Sequence, residues 1–109
     1  MPHVKFISLD KSEDGKTKYM ISFFNEDTSR INTIKFGSAP NKDYTIYYKE
    51  DGKEKAEKMK SAYIARHSVR EDFDDYTSRG SLSRWILWNL PTVEASLKDY
   101  LKRFNIKKL

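Results

Sequence analysis

Cysteine is absent from these 109 residues. Disulfides, thiolate zinc sites and cysteine nucleophiles are excluded together, and the absence fits a reducing compartment. No apolar run approaches the roughly 18 residues that span a bilayer, so no membrane partner is expected. The opening residues, Met1 to Ser8, are too short and too charged for a secretory signal. Glycine is scarce, at four residues scattered over turns, so the chain has no phosphate-binding glycine loop. It also has no Gly-x-Ser-x-Gly elbow of the serine-hydrolase kind. These absences leave an intracellular, soluble product with little catalytic equipment.

What is present is aromatic bulk and charge. Aromatic residues make up 14% and charged residues 34% of the chain, against a hydrophobic fraction of only 38%. Rings burying roughly 150–250 Å² each can offset the shortage of aliphatic residues. The length admits one domain and a single core. Net charge is +5, which favours polyanions or acidic protein surfaces. Much of that excess sits near the C-terminus, in Lys98, Lys102, Arg103, Lys107 and Lys108. A solvated helix face and a frayed tail are the ordinary reading of such a run.

Periodicity divides the chain. Val4–Leu9 and Lys18–Phe24 read as strands, joined through a polar run containing Asp14-Gly15, a strong hairpin signal. A polar turn over Asn25–Ser29 leads to a third strand, Arg30–Phe36, and Tyr44–Tyr48 reads as a short fourth extended segment. Beyond Asp51-Gly52 the period becomes helical, with Ala56, Met59, Tyr63 and Ile64 on one face of a helix over Lys53–His67. A short second helix is expected over Leu82–Asn89, ended by Pro91. Thr92 is placed to cap a third, whose apolar stripe is Val93, Leu97, Tyr100, Leu101 and Phe104. The expected fold is α+β: a small antiparallel meander over residues 1–48, then about three helices over 49–109 packed on one sheet face, in one domain over 1–109.

The segment around His67 and Glu71 concentrates ionisable residues. Four apart, these two could share a helix face as a metal pair, but a site needs further ligands and His3 gives no reason to converge. The acids Glu71–Asp75 are too close in sequence to form a two-metal nuclease cluster. Pairing with Arg66 and Arg70 is their expected use. No cofactor and no enzymatic activity are expected. Trp85 and Trp88, with Arg84 beside them, read first as core, with Trp85 and Leu82 inward and Trp88 sealing the junction with the third helix. Their alternative use is as interface anchors, because Trp and Arg are enriched at hot spots. The candidate interface residues are Arg66, Arg84, Trp85 and Trp88, and the five C-terminal cations are a candidate basic surface.

Several blocks go beyond composition. Lys35-Phe36-Gly37, Asp43-Tyr44-Thr45, Tyr63-Ile64-Ala65-Arg66-His67, Glu71-Asp72-Phe73, Ser83-Arg84-Trp85-Ile86-Leu87-Trp88-Asn89, Pro91-Thr92, Ser96 and Arg103-Phe104 are such blocks. Together they resemble a small-domain family of unknown function encoded by giant and algal large DNA viruses, of the mimivirus and chlorella-virus kind. The family pattern more often has tryptophan where Phe73 stands and lysine where Leu90 stands. The resemblance implies a viral product made in an infected cell's cytoplasm. The function expected in that setting is a non-enzymatic minor capsid or cement-like virion component contacting larger capsid proteins. The alternative is a nucleic-acid-binding or genome-packaging protein acting through the basic C-terminal helix.

Overall fold

The computed structural model describes residues 3–109. Three antiparallel strands come first: β1 (Val4–Lys11), β2 (Thr17–Asn25) and β3 (Arg30–Ser38). The hairpin turn is set by Asp14, whose Oδ1 accepts from the backbone N–H of Lys16 and Thr17 at 2.9 Å each. Along β2 the expected alternation holds. Ile21 and Phe23 are buried, whereas Met20, Ser22 and Phe24 on the opposite side are half-buried. Phe6 pairs across β1 with Phe23, and a register shift between Phe6 and Ser8 marks a bulge at Ile7.

The meander ends at Ser38, not at Tyr48. Tyr44–Asp51 is a helix, α1, where a run of strand-forming side chains over Tyr44–Tyr48 suggests an extended segment. Asp43 decides the matter: its Oδ1 accepts from the N–H of Thr45 at 2.9 Å and of Ile46 at 3.3 Å, satisfying donors a helix start leaves free. Helix α2 spans Lys53–His67 as the periodicity predicts. The expected second helix begins and ends earlier than Leu82–Asn89. It is a short α3 (Arg79–Leu82) that runs on into a π-helical turn over Ser83–Leu87. Thr92 caps α4 (Val93–Arg103) through its hydroxyl, which accepts from Ala95 N–H at 3.1 Å.

The tail after α4 is not frayed. Asn105 takes φ 54°, and Ile106 N–H returns to Leu101 C=O at 2.8 Å, turning the chain back on the helix. Ile106 is buried, and Lys107–Lys108 form β4, parallel to β1 with Lys5 opposite Lys107. The sheet is therefore four-stranded and mixed, in the order β3-β2-β1-β4. Its covered side contributes Phe6, Ile21, Phe23 and Phe36 to one core shared with Ala56, Leu82, Ile86 and Tyr100. The fold is α+β, as expected. Helix α4 lies beside the π-turn, and its Tyr100 and Leu101 join the same core as the sheet side chains. The π-turn and the start of α4 are also tied by polar links. Asn89 Nδ2 donates to Asp99 at 2.7 Å, and the buried Ser96 hydroxyl accepts from Leu90 N–H at 3.0 Å. No helix among the described residues is long and apolar enough to cross a membrane.

Candidate functional site

A cleft of about 480 Å³ lies where the end of β3, the β3–α1 connection, the end of α2 and the start of α3 meet. Its floor depends on Gly37. That residue has φ +82°, which disfavours any side chain, and an added Cβ would stand 2.7 Å from Leu87 Cδ1. One wall is aromatic. Tyr63 is stacked between Trp88, at 4.5 Å and 7°, and His67, at 4.2 Å and 26°. The widened backbone turn brings Trp88 to this place: its N–H returns to Ser83 C=O at 3.0 Å, five residues back. Such π-turns occur often at functional sites. Arg84 Nη1 fixes the same point by donating to Trp88 C=O at 2.7 Å.

Charge around the cleft divides into paired and unpaired groups. Lys18 and Asp43 form a buried ion pair at 2.6 Å, with side chains 11% and 3% exposed. Lys42 meets Glu50 at 2.9 Å in the open. Glu71 contacts His67 Nδ1 at 3.3 Å and lies against Gly80, where a Cβ would come within 2.7 Å of its Oε2. Arg66 and Arg79 also line the cleft, and both are exposed. Among the described residues neither has a carboxylate within 4.0 Å. Burial, reinforced by the Glu71 charge, pushes the Tyr63 phenol up to about 12 against the opposing pull of Arg84 and Arg66.

The structure separates the residues singled out in the sequence. Arg66 is at the cleft and Trp88 is in its wall, 8% exposed and sealed against Tyr63 and Tyr47 of α2 and α1. The aromatic partners of Trp88 are these two tyrosines. Trp85 is half-buried and packs against the rim of the core. Its Nε1 donates to Phe73 C=O at 2.8 Å, and the guanidiniums of Arg84 and Arg103 lie 4.2 and 3.7 Å from its ring centroid. Burial, and the nearby Arg103 after it, lower the Arg84 pKa. Of the C-terminal cations, Lys98 and Lys102 are exposed on α4, and Lys107 and Lys108 lie on β4. Arg103 is engaged with Trp85 and, at 3.6 Å, with Asp99.

The acidic loop is also used differently from the expectation. Arg66 and Arg70 do not pair with it; Glu71 turns to His67, and the aspartates fold the loop itself. Asp72 Oδ1 accepts from Asp74 N–H at 2.8 Å, and Asp75 Oδ1 accepts from Thr77 N–H at 3.0 Å. Short side chains at these positions close local turns before they can reach an arginine. Among the described residues no three His, Asp or Glu side chains converge as metal ligands would. Arg79, Lys42 and Tyr47 belong to the cleft without any signal in the sequence that joins them to Arg66. Comparison with protein-family models, with curated proteins and with solved structures finds no match to this chain.

Proposed function

We propose that this chain is a non-catalytic viral structural protein, a minor capsid or cement-like component that works by contact with larger capsid proteins. The observation that carries the reading is the cleft. Two unpaired guanidiniums, Arg66 and Arg79, stand beside the Tyr63–Trp88 stack, and aromatic residues with arginine are the side chains enriched at protein interfaces. The blocks that carry the viral resemblance meet at the same place. Gly37, Asp43, Arg66, His67, Glu71 and Trp88 come from five separate blocks and line one concavity. Nucleic-acid binding through the C-terminus has less support. Its five cations are divided between α4 and β4, and Arg103 is occupied with Trp85 and Asp99.

The test is to purify virus particles, open them, digest the genome with nuclease and separate shell from released material. The chain should remain in the shell fraction at fixed stoichiometry and resist extraction by moderate salt. Departure with the nucleic acid would favour the packaging role, and absence from particles would end the virion reading.

A further inference from the structure

Resting on that reading, we infer that the cleft is the receptor for an acidic, extended segment of the partner protein, whose carboxylates bind Arg66 and Arg79. A guanidinium presents a planar fork that matches a carboxylate in two parallel hydrogen bonds, and among the described residues neither fork has a carboxylate partner. Lys42 adds a third cation at the cleft, held by the exposed Glu50 and lying 5.5 Å from the Tyr47 ring centroid. Tyr63 and Trp88 back the cleft behind these cations and give it a rigid aromatic wall. A volume of about 480 Å³ admits a few side chains rather than a folded domain.

Two features favour a protein segment over a nucleic acid. Base stacking needs an open ring face, but Tyr63 has one face on Trp88 and the other on His67. Phosphates following the groove would also pass Glu71, which lines the same cleft. A polypeptide avoids both difficulties, because its backbone N–H groups are neutral donors and its acidic side chains can be spaced to reach the arginines alone.

The experiment uses the full chain labelled with nitrogen-15 and a synthetic peptide, Glu-Glu-Leu-Glu-Phe-Glu. Amide shifts on titration should centre on Gly37, Arg66, Arg79 and Gly80, and binding should weaken as salt rises. The double reversal Arg66→Glu with Arg79→Glu should weaken binding by about tenfold or more, while the same peptide with Lys for Glu should gain affinity for that variant. If the double reversal misfolds, Arg66→Gln with Arg79→Gln gives the neutral equivalent, with the same loss expected. The inference is overturned if the Lys peptide binds the unaltered chain equally well, or if shifts centre on Lys102, Lys107 and Lys108. Displacement of the acidic peptide from the cleft by a single-stranded oligonucleotide would overturn it too. Failure of peptide binding by a chain that stays in the shell would defeat the cleft and leave the virion reading standing. Cleft binding by a chain absent from particles would do the reverse.

Discussion

Asp43 carries two structural tasks with one carboxylate. One oxygen caps α1 and the other meets Lys18 at 2.6 Å, with the side chain only 3% exposed. Removing it leaves a nearly buried ammonium unpaired and a helix start without its acceptor. Asp43→Ala should therefore cost about 3–5 kcal/mol, as breaking a buried pair does. The urea midpoint of the folded chain measures this loss, and Lys18→Met should cost much less in the Asp43→Ala background than alone. Tyr63 gives a second expectation at this scale. Its folded pKa, about 12, lies above the ordinary 10.0, so the folded state holds the neutral phenol more tightly than the unfolded state does. That contribution is complete below pH 10 and is lost as pH rises through the interval from 10 to about 12. Burial also raises the Tyr100 phenol, which adds stability lost in the same direction. The phenolate absorbance should show these two rings ionising only as the circular dichroism of the fold disappears. Tyr63→Phe should make alkaline unfolding less steep.

Among the elements, α4 separates two leucines that the sequence places on one stripe. Leu101 is 7% exposed, whereas Leu97 is only partly buried. Leu101→Ala should cost about 2–5 kcal/mol and Leu97→Ala distinctly less, because fewer contacts and a smaller cavity are at stake. Comparison of the two denaturation midpoints decides it; equal losses would mean that α4 is seated differently. Legibility followed the strength of local signals. The period through Ala56, Met59 and Tyr63 marked α2 to its ends, and Asp14-Gly15 marked the first hairpin, because both depend on neighbours in sequence. Tyr44–Tyr48 misled because strand-forming side chains run together there, while the deciding interactions came from one preceding aspartate and a lysine on β2. The π-turn had no signature at all. An extra residue in a helical turn is set by what must pack on either side, here Leu87 over Gly37 and Trp88 on Tyr63. For the same reason Arg66 and Trp88 were visible as candidates, but Arg79 and Lys42 were not.

For the molecule as a whole, a net charge of +5 says little until its distribution is known. Only Lys98 and Lys102, one turn apart on α4, form an unengaged pair of neighbours on a single C-terminal element with helical spacing. Duplex DNA should bind weakly, with a log–log salt slope of about −1.8 for two neutralised phosphates, where four acting together would give about −3.6. Anisotropy of a labelled duplex across a salt series checks this, and the steeper slope would return the C-terminal surface to consideration. The pairing of β4 with β1 also has a temporal consequence. Ribosomes deliver β1 first of all the elements and β4 last, yet the two are neighbours in the finished sheet. Throughout translation the outer edge of β1 waits with its backbone groups unmatched, available to any other growing chain. A stop codon at Lys107 would make that waiting state permanent. Chains synthesised side by side in dense polysomes would then join edge to edge, so β4 protects the nascent protein from its own copies.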